Sequence, residues 1–244
     1  MTTPSPNPTA AMLVIGDEIL SGRTRDANMY HLAAELTAAG IVLKEVRVVS
    51  DDAPAIVAAV QALSGAYDTV FTSGGIGPTH DDITADCIAA AFDDHIGVRD
   101  DARALLQAHY DSTGKELNEA RLRMARIPDS ATLIDNPVSI APGFTVQNVH
   151  VMAGVPSVFQ AMVASVLPTL TGGAPMLSET RRIDRGEGDI AGPLARIATD
   201  FADLSIGSYP FQQDGKYGAN IVIRGQDTAR IAAAIARLNA AFPA

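Results

Sequence analysis

Apolar residues fall along this chain in two alternating rhythms. Ala11-Met12-Leu13-Val14-Ile15 is a continuous apolar run that stops at Gly16, the pattern of a strand buried on both faces. From Ala27 to Ala39 the apolar positions Met29, Leu32, Ala33 and Leu36 recur at helical spacing, and Gly40 follows as a C-cap. Ile41 to Val49 reads as a second strand. Ser50-Asp51-Asp52 then turns into a helix from Pro54 to Ser64; Pro54 suits its first turn and Asp51 or Asp52 its cap. Tyr67 to Thr72 is a third strand, and Asp82 to Phe92 the helix that follows. This alternation predicts an α/β fold, a mostly parallel sheet with helices on both faces.

Beyond it, Asp100 to Ala125 is a long helical stretch with a break near Ser112-Thr113-Gly114. Thr132-Leu133-Ile134 is extended, Asp135 to Gly143 is rich in turn formers, and Phe144 to Gln147 with Val149 to Met152 predicts a hairpin around Asn148. Ala153-Gly154-Val155-Pro156 opens a helix from Ser157 to Leu167, and Thr171-Gly172-Gly173-Ala174-Pro175 is the best linker. After it the rhythm changes to strand (Ser178–Asp184), helix (Ile190–Ala202), two strands (Leu204–Pro210, Asn220–Arg224) and helix (Asp227–Phe242). The expected organisation is a flexible arm over residues 1–10, an αβα domain over 11–170, and a small βαββα domain over 176–244.

Composition narrows the functional classes. The net charge of −10 argues against broad attraction to nucleic acid. No apolar run reaches the roughly 18–20 residues of a membrane span. The first ten residues lack the basic and apolar regions of a signal peptide, and a single cysteine, Cys87, excludes an internal disulfide, so a cytoplasmic protein is expected. Cys87 itself reads as a small apolar residue on a buried helix face.

The chemistry concentrates in Thr69 to Thr84, TVFTSGGIGPTHDDIT. A strand breaks into Ser73-Gly74-Gly75-Ile76-Gly77-Pro78, and the acidic pair Asp81-Asp82 stands at the head of a helix. Glycines let backbone approach a ligand closely, and a helix N-terminus favours phosphate. Carboxylates there repel phosphate unless a divalent cation lies between, so the stretch predicts a metal-assisted phosphate site. A plain βα turn with a capping Asp is the structural alternative. In parallel sheets ligands bind at the carboxyl ends of strands, and the loops Gly16–Gly22, Ser50–Asp52 and Ser73–Asp82 share that edge.

Gly16-Asp17-Glu18-Ile19-Leu20-Ser21-Gly22, Asn28, the Ser73–Thr84 string, Asn136-Pro137 and Ala141-Pro142-Gly143 together resemble the MoaB/Mog molybdopterin-binding domain. More narrowly, the series is similar to the N-terminal part of the competence/damage-inducible protein A (CinA) family, over about Ala11 to Leu167. The small domain from Ser178 resembles the KH-like second domain of those proteins. Two departures stand out. Ala153-Gly154-Val155-Pro156 replaces a Pro-Gly-Pro-Pro-like turn, leaving the last wall of the pocket open to difference. The amidase domain that many CinA proteins carry has no counterpart before Ala244, so its activity is not carried over.

The resemblance implies a pocket for molybdopterin or a nucleotide, with the family's two functional carboxylates on Asp51 and Asp82. It allows two chemistries, metal-dependent cleavage of a phosphoanhydride in ADP-ribose or FAD, and adenylylation of molybdopterin from ATP with Mg²⁺; a non-catalytic ligand binder is the third reading. Asp82, Asp51, Asp81 and Glu18 are the expected metal ligands, with Asp17 a further acid. Gly74, Gly75 and Gly77 are the expected phosphate cradle. Gly16, Ser21, Gly22, Asn28, Ser73, Thr84, Asn136, Pro142, Gly143, Gly154 and Pro156 are expected to line or shape the ligand site. His80 reads as a surface loop residue. Gly215-Lys216-Tyr217-Gly218 matches the GxxG string of RNA-clamping KH modules, but falls between strands, so no nucleic-acid partner is expected. A dimerisation or lid role is preferred for the small domain, and a homo-oligomer, dimer or trimer, for the assembly.

Overall fold

The computed structural model describes residues 7–213 and 215–243. The chain divides into two compact units, Met1–Gly173 and Ala174–Ala244. In the first, β1 (Thr9–Ile15), α1 (Asp17–Leu20), α2 (Asn28–Ala38), β2 (Val42–Val49), α3 (Ala53–Ala66), β3 (Thr69–Ser73) and α4 (Thr84–Ala91) follow the expected alternation. Then come β4 (Ile96–Val98), α5 (Asp100–Thr113), α6 (Glu119–Leu122), a single 3₁₀ turn at Arg123–Ala125 and β5 (Arg126–Pro128). The hairpin elements β6 (Thr132–Ile134), β7 (Gly143–Val146) and β8 (Val149–Met152) precede α7 (Pro156–Val166).

Six strands form one sheet in the order β2-β1-β3-β8-β7-β6. The first four are parallel, while β7 runs against β8 and β6 against β7. Two reversals return β6 to the common direction. The turn after β6 therefore opens on the same edge as those after β1, β2, β3 and β8.

Alternation along β1 feeds two cores. Ala11, Leu13 and Ile15 pack with Ile56 and Leu63 of α3, Ile88 of α4 and Leu106 of α5. Ala10, Met12 and Val14 pack on the other face with Leu32 and Leu36 of α2 and Phe159 and Met162 of α7. Each such large side chain contributes about 1.5–3 kcal/mol on full burial, which holds the sheet as a rigid platform for its edge loops. Cys87 lies within the first core, and burial pushes its thiol up to about 11.

Several boundaries depart from expectation. Residues 1–6 of the expected arm lie outside the described residues, while Thr9 and Ala10 already belong to β1, held by Asp68, which accepts from the Thr9 amide and hydroxyl. The loop Gly16–Gly22 contains the one-turn α1. The break expected near Ser112-Thr113-Gly114 is present: α5 stops at Thr113, because Gly114 takes a left-handed conformation at φ 67°. The two-stranded β4–β5 sheet is an addition that such short segments do not announce.

The second unit contains β9 (Leu177–Ile183), α8 (Glu187–Asp200), β10 (Ser205–Gln213), β11 (Lys216–Gly225) and α9 (Thr228–Ala241). Its antiparallel sheet has the order β10-β11-β9, with Ile221 and Ile223 packed against Ile190 and Ile197 of α8 and Ile231 and Leu238 of α9. Lys216, Tyr217 and Gly218 of the GxxG string sit at the start of β11, not between helices. No helix among the described residues is long and apolar enough to cross a membrane.

Candidate functional site

At the end of β3 the chain turns through Gly74 (φ 110°) and Gly75 (φ 69°), conformations that L side chains rarely adopt. Space also requires glycine. A Cβ on Gly74 would lie 2.2 Å from the Ile15 carbonyl oxygen, and one on Gly75 would lie 2.1 Å from Thr84 Oγ1. Thr84 is fully buried and ties the turn from both ends: its hydroxyl donates to the Gly74 carbonyl at 3.0 Å and its amide to the Gly75 carbonyl at 3.0 Å. Among the described residues the amides of Gly75, Ile76 and Gly77 donate to no protein group. Unspent amides on a fixed glycine turn are what an anion requires.

The two acids that follow do not cap the helix. α4 starts at Thr84, with Ile83 at its N-cap and no side-chain cap bond, so the expected start at Asp82 is corrected by one half-turn. Asp82 instead folds back, and its Oδ2 accepts from the Thr79 amide at 2.8 Å. The Thr79 hydroxyl stands 2.6 Å from both Asp82 Oδ2 and Asp81 Oδ1. It has one proton to give, so the two carboxylates share a single hydroxyl donor. Donation from Thr79 holds the Asp81 carboxyl below the usual range. His80 is a surface loop residue, as expected.

Asp51 and Asp52 separate cleanly. Asp52 is the N-cap of α3, accepting from the Ala55 amide at 3.0 Å. Asp51 is released from that role, and its Oδ2 accepts from the Asp17 amide at 3.0 Å across the turn after β1. The Glu18 carboxylate lies over Gly16, where a Cβ would stand 2.4 Å from Glu18 Oε2. Ser21 and Gly22 are exposed beside it.

These acids form two groups, not one. Asp51, Asp17 and Glu18 follow β2 and β1; Asp81 and Asp82 follow β3, with β1 lying between β2 and β3. Strands are about 4.8 Å apart, so Asp51 and Asp82 rise from strands roughly 10 Å apart. Accordingly, no three His, Cys, Asp or Glu side chains among the described residues are grouped to hold a metal ion. The carboxylate oxygens suit a hard cation such as Mg²⁺, which commonly combines one or two carboxylates with ligand phosphates, so the set fits a cation shared with a phosphorylated ligand.

Asn28 links the remaining walls. It is buried at the start of α2, and its Nδ2 donates to Ser73 Oγ and to the Gly154 carbonyl, both at 2.8 Å. Its Oδ1 is buried and accepts no hydrogen bond among the described residues. Gly154 in turn lies against Gly74, and Pro156 is exposed in the first turn of α7. Asn136 differs. Its amide donates to Ser139 Oγ and the Ala141 carbonyl, and its Oδ1 accepts from the amides of Val138 and Ser139. Those bonds hold a loop in which Ile140 has φ 68°, a strained value for a β-branched residue. Asn136 thus braces the loop that follows β6, the structural alternative to a ligand contact. Gly143 is likewise a packing residue of β7, where a Cβ would meet the Val151 carbonyl at 2.5 Å.

A cleft opens on the α4 side of the glycine turn. Gly75, Ile76, Gly77 and Asp82 line it together with Pro142, Arg123 and Arg126. The two arginines were not expected from the sequence. The signal for them was the run Arg121-Leu122-Arg123-Met124-Ala125-Arg126, a basic cluster in an acidic chain.

Similarity to known proteins covers both units of the chain. Residues 11–172 match the family described as probable molybdopterin binding domain, and residues 175–244 match the FAD synthase middle domain. A probable FAD synthase of Caenorhabditis elegans is 33% identical over 94% of this chain and 49% of its own length. A CinA-like protein of Citrifermentans bemidjiense is 38% identical over 66% of this chain and 40% of its own. The chain thus spans about half the length, or less, of these curated relatives. The crystal structure of the protein CinA with unknown function from Thermoplasma acidophilum superposes with a TM-score of 0.62 at 33% identity, covering 68% of this chain and 99% of that one. This chain therefore belongs to the MoaB/Mog-type molybdopterin-binding-domain family and is CinA-like, its first unit followed by one of the FAD synthase middle-domain type.

Proposed function

We propose that this chain hydrolyses the phosphoanhydride of a nucleoside diphosphate derivative of the ADP-ribose or FAD type, with a divalent cation. The observation that carries the reading is the Gly75–Gly77 turn, with unspent amides and the carboxylate of Asp82 folded beside them. The similarity to proteins named probable FAD synthase, and to the FAD synthase middle domain, supports an adenine–flavin dinucleotide as one substrate.

The glycine amides hold non-bridging oxygens of one phosphate. A divalent cation shared between the carboxylates and the diphosphate would supply charge neutralisation and lower the pKa of a water. Asp82 Oδ2 is occupied by Thr79, leaving Oδ1 to orient the attacking water and accept its proton. Water adds to one phosphorus, the bridging P–O bond breaks, and the proton passes from Asp82 to solvent. The products are AMP with ribose 5-phosphate, or AMP with FMN. Asn28 Oδ1 is a buried acceptor for a donor on the ligand's ring or ribose.

Incubation of the purified chain with ADP-ribose and with FAD, each with Mg²⁺, Mn²⁺ and Co²⁺, tests this by AMP release. No AMP with any metal overturns it. The description of the matched family favours one second reading, adenylyl transfer from ATP to molybdopterin. Formation of adenylylated molybdopterin and pyrophosphate would select it.

A further inference from the structure

The arginines at 121, 123 and 126 enter the structure on different terms. Arg121 is spent: its guanidinium lies 4.7 Å from the Tyr110 ring centroid and donates to the Glu116 carbonyl. Arg126 is spent as well, paired with Asp86 at 2.5 Å. Arg123 has neither kind of partner. No carboxylate lies within ion-pair distance of it among the described residues, its Nε is buried without an acceptor, and its Nη2 makes one long bond, 3.3 Å, to the Asp82 carbonyl. A guanidinium presents five donors in a fixed fork, and a buried donor left without an acceptor costs free energy. Arg123 lines the same cleft as Gly75, Ile76 and Gly77, whose amides also lack acceptors.

We infer that Arg123 and the Gly75–Gly77 amides form one two-sided anion site, in which the guanidinium takes the second phosphate of a diphosphate. The identity of that anion rests on the phosphoanhydride reading above; the existence of the site does not. The cleft between the two donor sets is small, about 20 Å³, so the guanidinium would have to swing outward for a diphosphate to reach both. The planar fork binds phosphate oxygens bidentately, which an ammonium group cannot reproduce. Asp86 does not compete, being neutralised by Arg126, and the bond to the Asp82 carbonyl sets Arg123 beside the residue assigned to the attacking water. In catalysis Arg123 thereby stabilises the charge left on the departing phosphate, a role absent from the motif that drew attention to this edge.

Inorganic pyrophosphate and orthophosphate, titrated calorimetrically into the full chain with and without Mg²⁺, provide a readout independent of turnover. Wild type is expected to bind pyrophosphate more tightly than orthophosphate. Arg123→Gln should weaken pyrophosphate by about tenfold or more, and Arg123→Lys by a smaller factor. Arg103→Gln, an exposed change of equal charge on α5, should leave binding within about twofold, the range expected when only a distant, solvent-screened charge is lost. Circular dichroism checks that each variant folds; should Arg123→Gln not fold, Arg123→Lys carries the comparison. Equal pyrophosphate affinity in wild type and the Arg123 variants overturns the inference, as does absence of binding by wild type under both conditions. Loss of binding in Arg123→Gln, with no AMP released by wild type, retains the anion site and removes the hydrolase reading alone.

Discussion

Asp51 Oδ2 accepts the amide hydrogen of Asp17 at 3.0 Å, tying the turn after β2 to the turn after β1. The bond draws one acid of an adjacent pair to the ligand edge while its neighbour Asp52 caps α3. The two residues should separate on substitution. Asp52→Ala is expected to lower stability by about 1 kcal/mol, read by chemical denaturation, with AMP release retained. Asp51→Asn keeps an acceptor for Asp17 but removes a charge, so it should leave stability within about 0.5 kcal/mol and reduce metal-supported turnover at least tenfold.

Gly75→Ala places a methyl group against the buried Thr84 hydroxyl at a backbone angle alanine disfavours. Gly74→Ala meets backbone, the Ile15 carbonyl, which cannot swing aside. Both should lose phosphate binding. Gly74→Ala should cost more stability, about 2 kcal/mol or above, because a clash with backbone relaxes less than one with a side chain. Thermal melts of both variants followed by circular dichroism check the order; the chain has no tryptophan to report unfolding by fluorescence.

Asn28→Asp replaces the amide that donates to Ser73 and Gly154 with a group that cannot donate when ionised. A buried carboxylate facing the Gly154 carbonyl should cost about 2–3 kcal/mol near neutral pH. Part of that loss should be recovered at lower pH, where protonation restores one donor. Urea unfolding at two pH values would show it.

His150 gives the fold itself a pH dependence. Its ring is buried on β8, 5.2 Å from the Phe71 ring, with Nδ1 2.9 Å from Thr145 Oγ1, and burial lowers its pKa from 6.5 to about 4. Above pH 6.5 the ring is neutral in folded and unfolded chain, and titration costs nothing. As pH falls from 6.5 toward 4 the unfolded chain takes up the proton first, so stability is lost through that window and levels off below it. The full loss is on the order of 3 kcal/mol. His150→Gln should show a smaller difference in unfolding free energy between pH 7 and pH 4.5 than wild type does.

Much of this molecule is legible in its residue order. Apolar runs such as Ala11–Ile15 and spaced positions such as Leu32 and Leu36 report burial locally, because strand and helix periods repeat within a few residues. The glycine turn was legible too, since Gly74 and Gly75 occupy conformations that other residues avoid. Motif spacing carried the MoaB/Mog and CinA resemblance, and the matches over residues 11–172 bear it out. Asn136 shows the limit: a buried amide reads alike in sequence whether it faces a ligand or its own loop, and only its four loop bonds assign it.

The sequence by itself determined most of the elements, the mostly parallel α/β class and the sheet edge where the glycine turn and the acids gather. Tertiary structure alone decided which neighbours work together. Sheet order places β1 between β2 and β3, which parts Asp51 from Asp82 and makes the acids two groups that a ligand would have to join. The packing of the segment before β5 brings Arg123 across some fifty residues of chain to the cleft that Gly75 and Gly77 line. The reason is physical. Periodicity is set by residues a few positions apart, whereas pairing a guanidinium with a distant amide turn depends on the order in which strands assemble and on which partners have already been taken.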